Sequence, residues 1–403
     1  MAVTVSGAPS ASGKADSLPL LVVLATAFAG ALVLASLVTI TQALLFLNGG
    51  LLGLALYHAS FGFTGGWKRF ATDGRSRSMR AQFLMIGMTA IVFIPLMSGF
   101  WGLDRSFAGA WAPVGVSVLL GAFIFGMGMQ LGGGCGSGTL FTVGGGSGRM
   151  LVTLTGFILG AVIGTAHLPF WLEMPSMPVI KFGDYFGALS GTAVTLAAIG
   201  LVLLVLAFVE KRRHGNIEPV FVGLADFTPG KVLHGPWPLI VAAVLLALGN
   251  VFTLLLAGHP WSVTYGFGLW GAKLFSAVGI PVASWEFWQI PAQARALDQS
   301  VLFDVTSVMN FGIILGAALA ASLAGKFAEK SKVPFASYIA AIIGGLLMGY
   351  GARLSFGCNI GALFSGIASG SLHGWVWFVM AFLGSLLGIG LRPLFGLDGF
   401  KKS

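Results

Sequence analysis

The chain has 403 residues, of which 56% are hydrophobic and only 9% charged, and its formal net charge is +9. Soluble domains carry roughly a quarter charged residues, so this composition excludes a soluble globular domain and indicates an integral membrane protein. Two cysteines exclude a disulfide framework and a cysteine-based zinc site. The basic residues fall in short loops between apolar runs, where they set topology; nucleic acid is not an expected partner.

Residues 1–17 are rich in Ser, Gly and Ala and read as a disordered cytoplasmic tail. A first membrane half, 18–213, opens with Leu18–Ile40, long enough to cross at ~20 residues per span and too long for a signal-peptide core. Gly49–Phe63 is shorter and interrupted by glycine, and it leads into the basic stretch from Lys68 to Arg80. Phe83–Leu103 crosses again, Ala110–Gln130 enters a glycine-rich segment around Cys135, and Leu140–Gly148 leaves that segment as a short piece. Met150–His167 and Phe186–Phe208 are the next crossings. The polar stretch 214–237, with Pro219, Pro229 and Pro236, reads as a cytoplasmic linker. The second half, 238–398, takes Leu239–Ala257, a marginal Pro260–Gly279, an aromatic interface loop at Trp285–Pro291, and Asp304–Leu323. Phe335–Arg353 then enters a segment around Cys358, and Gly374–Leu391 is the last crossing before a tail at 399–403.

The two cysteine segments are an internal repeat. Aligned on Cys135 and Cys358, Gly121–Phe141 and Gly344–Phe364 share nine of 21 residues without a gap. With the basic clusters at 68–80, 211–213, 326–332 and the C-terminus placed in the cytoplasm, both termini lie inside. The Cys135 segment then runs inward and the Cys358 segment outward. The expected fold is therefore all-α, with two inverted-topology repeats whose broken or re-entrant helices meet at a central cysteine-lined path. Glycine-broken segments at matching positions of inverted halves mark the site of a transported solute.

Each interior glycine disfavours helix by about 0.8–1 kcal/mol relative to Ala, so LGGGCGSG cannot continue one smooth helix. A break there exposes N–H groups near Gly136–Thr139, and its partner does so near Asn359–Ala362. Facing helix N-termini attract an anion without burying a formal charge. The bland alternative is that these glycines serve only tight helix crossings. Burial keeps both thiols neutral, soft donors suited to a sulfur-bearing solute. The expected path residues are Cys135, Cys358, Gly134, Gly136, Ser137, Gly357, Asn359 and Arg353. Asn359 reads as an amide donor to an oxyanion. Arg353 reads either as an anion-attracting charge or as a snorkelling residue. His58, His167, His259 and His373 lie near helix ends and read as structural. No catalytic residue, metal site or cofactor is expected, and the absence of mid-span carboxylates argues against a proton relay.

GGGCGSG at 132–138, GARLSFGCNIGALFSG at 351–366, SLHGW at 371–375, DVTSVMNFGIILG at 304–316 and YHASFGFTGGWKRF at 57–70 together resemble the YeeE/YedE family of bacterial inner-membrane sulfur-compound transporters, which includes thiosulfate importers. The resemblance implies an hourglass-shaped helical protein in which Cys135 and Cys358 line a narrow path for thiosulfate. A membrane sulfurtransferase or thiol-redox protein, and a permease for another sulfur or selenium species, are the alternatives. A cytoplasmic sulfur-carrier protein is a further candidate partner. The pattern departs at Phe61-Gly62, where the family's first motif reads Phe-Cys. If that outer cysteine captures thiosulfate, this chain captures it more weakly or takes another solute.

Overall fold

The structure, a computed structural model, describes residues 15–102, 104–329 and 333–400. The expected N-terminal tail lies almost wholly outside the described residues, as do Lys330, Lys332, Lys401 and Lys402. In chain order the helices are α1 Ser17–Leu37, α2 Ile40–His58, α3 Phe63–Asp73, α4 Arg77–Met97, α5 Val116–Gly132, α6 Gly136–Gly144, α7 Gly148–Leu172, α8 Phe182–Phe186 and α9 Ala188–His214. There follow α10 Pro229–His234, α11 Leu239–Ala257, α12 Thr264–Ala277, α13 Glu286–Gln289, α14 Pro291–Asp298, α15 Val305–Leu323 and α16 Phe335–Leu354. A π-helical segment, Asn359–Ser365, runs into the single turn α17 Gly366–Ala368, and α18 Leu372–Leu391 closes the series. Among the described residues, ten helices are long and apolar enough to cross a membrane. The protein is a multi-pass helical membrane protein. Its only β-structure among the described residues is a pair of two-residue strands, Val114–Gly115 with Ser176–Met177, and an isolated bridge between Lys181 and Ser371.

Apolar side chains point outward as well as inward: Leu21, Phe28, Leu201, Leu204 and Phe208 are all exposed. α1 and α9, which carry them, are the least buried spans and lie at the periphery. The centre is built from α5, α7, α16 and α18. α5 packs along α16 and α18, and α16 packs along α5 and α7. Backbones touch at these crossings. A Cβ on Gly126 would collide with the Ala381 carbonyl, and one on Gly349 with that of Phe157. With lipid tails as apolar as the side chains, such close approach is the main source of helix–helix attraction.

The same packing corrects the sequence reading of Gly49–Phe63. Its first part, Gly49–His58, lies within the uninterrupted helix α2, because Gly49 and Gly53 abut the backbone of Met309 and Ile313 on α15; the chain breaks only after His58. The glycines there permit a crossing instead of breaking the helix. α15 is capped by Asp304, whose carboxylate accepts the Ser307 N–H at 2.7 Å. Burial pushes that carboxyl up from its ordinary value, against the pull of the Ser307 hydrogen bonds. At the end bearing the basic loop, buried Glu210 accepts from Ser76 Oγ (2.5 Å) and from Arg80 (3.0 Å) and Arg75 (3.3 Å). This ties α9 to the turn between α3 and α4.

Candidate functional site

The first cysteine sits where α5 stops. Gly133 adopts φ 89°, a left-handed value that favours glycine, and turns the chain back. Cys135 then caps α6: its Sγ accepts from the Gly138 N–H at 3.4 Å and lies 3.5 Å from Ser137 Oγ. A helix ending inside a membrane protein leaves carbonyls that need donors. Arg149 supplies them to Leu131 (2.8 Å) and Gly132 (2.7 Å), and Arg392 Nη1 donates to the Gln130 carbonyl at 2.5 Å. Arg149 Nε in turn donates to Ser337 Oγ at 2.5 Å. Two cations therefore hold the α5 terminus and complement its dipole. Arg149→Ala is expected to lower stability by on the order of 3 kcal/mol, because two charge-assisted hydrogen bonds to half-buried carbonyls are lost. A thermal melt in detergent checks this. A melting temperature equal to wild type would show that the clamp contributes nothing.

The second cysteine repeats the construction. α16 ends at Leu354, and Phe356 (φ 58°) and Gly357 (φ 153°) carry the reversal. Cys358 caps the π-helical segment, its Sγ accepting from the Ile360 N–H at 3.4 Å. The wide π turn is anchored at its far end. Ser365 Oγ donates to the Trp261 carbonyl at 2.9 Å, and Asn250 bonds both Ser365 Oγ (3.2 Å) and the Trp261 N–H (2.8 Å). Trp377 Nε1 donates to Ser355 Oγ at 3.0 Å, holding the start of the reversal.

The two reversals meet. A Cβ built on Gly136 would lie 3.0 Å from Cys358 Sγ and 3.4 Å from a Val263 methyl. Cys358 thus faces the first turn of α6, directly beside Cys135. Both thiols are free and shut away from solvent, at 0% and 1% exposure. Ser137 and Asn359 are equally buried, and neither amide atom of Asn359 has a hydrogen-bond partner. Gly134 packs against Met150 and the Gly138–Thr139 backbone, which leaves no room for a side chain. The structure therefore gathers Cys135, Gly136, Ser137 and Cys358, with Asn359 and Gly357 flanking Cys358 in the chain. Arg353 stands apart, stacked at 4.4 Å over Phe287 and backed by Gly164.

Sequence reasoning missed Val263, Asn250, Arg149, Arg392 and the pair Gln130–Thr64. Gln130 was legible in the repeat, where it aligns with Arg353. Its Nε2 donates to the Thr64 carbonyl at 3.3 Å, while its Oε1 and Thr64 Oγ1 are buried without partners. Gly62 caps α3 at the end of the molecule that carries Lys68 and Arg69. A Cβ there would meet only the Ser60 carbonyl, at 4.0 Å.

Comparison with known proteins identifies relatives of this chain. The probable transporter YedE of Escherichia coli K12 is 32% identical over 162 residues, 40% of this chain and 39% of that protein. The chain thus matches only about two-fifths of the length of the YedE proteins. The thiosulfate transporter TsuA of Spirochaeta thermophila is 28% identical over 67% of this chain and 76% of its own length. TsuA of Escherichia coli K12 is 25% identical over 83% of this chain and 90% of its own. A family model described as sulphur transport matches residues 58–387, which contain both cysteine reversals. The chain belongs to the sulphur transport family.

Proposed function

We propose that this protein is a bacterial inner-membrane permease that takes up thiosulfate, or a related small sulfur-containing anion, along a path between Cys358 and Cys135. The observation that carries the reading is the approach of Cys358 Sγ to Gly136, at the first turn of the helix that Cys135 caps. The pairing of α5 with α18 and of α16 with α7, around related sequence segments, supports two inverted repeats. The thiosulfate transporters among the relatives support the solute class.

The chemistry follows from what lines the meeting point. An anion leaving water needs donors in return, and formal charge at membrane depth is costly. The first N–H groups of α6 have no intrahelical acceptor and lie at the positive end of its dipole. The unpartnered Asn359 amide adds a donor for an oxygen atom. Neutral thiols are weak donors with polarisable sulfur, so they favour a terminal sulfur over water without trapping it. Both thiols are occluded, so passage requires the two hairpins to part alternately.

The basic residues Lys68, Arg69, Arg75 and Arg80 cluster at one end and put that end in the cytoplasm. Gly62 shares that end, so the family's missing cysteine belongs to the inner half of the path and not to outer capture. Gly62→Cys is expected to fit without strain and to raise uptake several-fold at low thiosulfate, by adding a third thiol. Unchanged uptake by the well-folded variant would remove Gly62 from the path. The reading as a whole is tested by uptake of thiosulfate, sulfate and sulfite in cells lacking their own importers. Uptake of a sulfur anion that requires this chain supports it, and none from well-expressed protein overturns it.

A further inference from the structure

We infer that the Arg353 guanidinium is the oxyanion-recognition site of this permease, and that its repeat counterpart Gln130 supplies no matching fork of free donors. The inference rests on the transport reading above and deepens it. It restricts the solute to anions that present two oxygens on one face, and it makes binding one-sided.

Arg353 lies in the last turn of α16, at the entry to the Cys358 reversal. Its Nε and Nη2 are buried and have no hydrogen-bond partner. It takes part in none of the ion pairs among the described residues. Arg149 and Arg392 differ, since their guanidinium groups are bonded to the carbonyls that end α5. A half-buried cation with two buried, unpartnered nitrogens and no counter-charge is a costly arrangement, tolerated where it marks a functional pathway. The Phe287 ring at 4.4 Å stabilises the positive charge without neutralising it. Stacking covers one face of the guanidinium plane, and the Nε–Nη2 edge is left without a hydrogen-bond partner.

A glycine borders that edge. Gly268 has no side chain there, and a Cβ on it would sit 4.0 Å from Arg353 Nε and 3.8 Å from Thr165 Oγ1. Nε and Nη2 are parallel donors, the fork that binds two oxygens of one oxyanion. A neutral sulfur species such as hydrogen sulfide or a thiol has no such pair. Thiosulfate, sulfite and sulfate do.

The repeat supplies the second half of the inference. Gln130 occupies the position of Arg353, yet its neutral amide is bonded to the Thr64 carbonyl. The remaining polar atoms there, Gln130 Oε1 and Thr64 Oγ1, include an acceptor that repels an anion. Arg149 and Arg392 lie beside Gln130, but their guanidinium groups are bonded to the carbonyls that end α5, so an anion is held at Arg353 and released past Gln130. With the basic end inside, capture is external and release internal.

The test uses purified protein in proteoliposomes, with thiosulfate uptake measured across concentrations. Arg353→Gln is expected to raise KM at least tenfold with a smaller effect on maximal rate, and Arg353→Lys to restore most of the affinity. Excess sulfate is expected to compete in wild type and not in Arg353→Gln. Should Arg353→Gln fail to fold, Gly268→Val fills the space beside Nε and is expected to raise KM likewise. An unchanged KM in the folded variant, or undiminished sulfate competition, overturns the site. A separate arm follows the melting temperature of detergent-solubilised protein with added sulfate. The shift is expected in wild type and Cys358→Ala but not in Arg353→Gln. If wild type takes up no thiosulfate yet shows this shift, the anion site stands and the thiosulfate assignment falls. If Arg353→Gln transports thiosulfate normally, the assignment stands and the site falls.

Discussion

Cys358→Ala is expected to abolish growth on thiosulfate in cells that depend on this chain for sulfur, while the purified variant keeps its fold. Cys358 is fully buried and its one hydrogen bond, from the Ile360 N–H, is a long 3.4 Å contact to sulfur. Removing it costs about 1 kcal/mol of stability, within what a membrane protein of this size tolerates. Transport loses much more. Cys358 Sγ faces the first turn of α6, and on the proposed reading its thiol is the contact between the two halves of the path. Losing a contact made only during passage raises the barrier, and a loss of tenfold or more corresponds to at least about 1.4 kcal/mol. Cys358→Ser separates the roles: it keeps a donor but replaces polarisable sulfur with a hard, strongly hydrated oxygen. The serine variant is expected to stay inactive. Growth of either variant at the wild-type rate would remove Cys358 from the mechanism.

The second large effect is steric. Gly136→Val places a branched side chain where even a single Cβ comes within 3.0 Å of Cys358 Sγ and 3.4 Å of Val263. Overpacking of this kind costs roughly 1–3 kcal/mol of stability. Its effect on passage is near-complete loss, because the new methyl groups fill the interval between the two reversals. Gly65→Val is the control. That glycine lies on α3, is exposed and has nothing within 4 Å of a built Cβ, so uptake should be unchanged. Uptake by Gly136→Val equal to that of the control would mean that the solute does not pass between Gly136 and Cys358.

Much of this arrangement is legible in the chain itself, for reasons that can be named. Hydropathy and length suffice for spans such as Leu239–Ala257, whose ends coincide with the observed helix. Pattern also suffices for the break before Cys135, since three consecutive glycines weaken the helix and a small capping residue follows. It does not suffice for Gly49 and Gly53. There glycine permits α15 to approach, and nothing local distinguishes that use from a break until Met309 and Ile313 are seen against them. The clamps on α5 are illegible for the same reason. Arg149 and Arg392 look like loop charges that set topology, yet they bond to carbonyls at residues 130–132. Asn359 stands out by sequence beside Cys358, whereas its lack of any partner emerges only from the packed interior.

The most direct test of the central claim is filling of proteoliposomes that contain purified protein, with sulfur-labelled thiosulfate outside. Wild type should fill the vesicles, while Cys135→Ala and Cys358→Ala, each monodisperse and melting within a few degrees of wild type, should leave them empty. Filling by both variants at the wild-type rate would contradict a path that runs between the two cysteines.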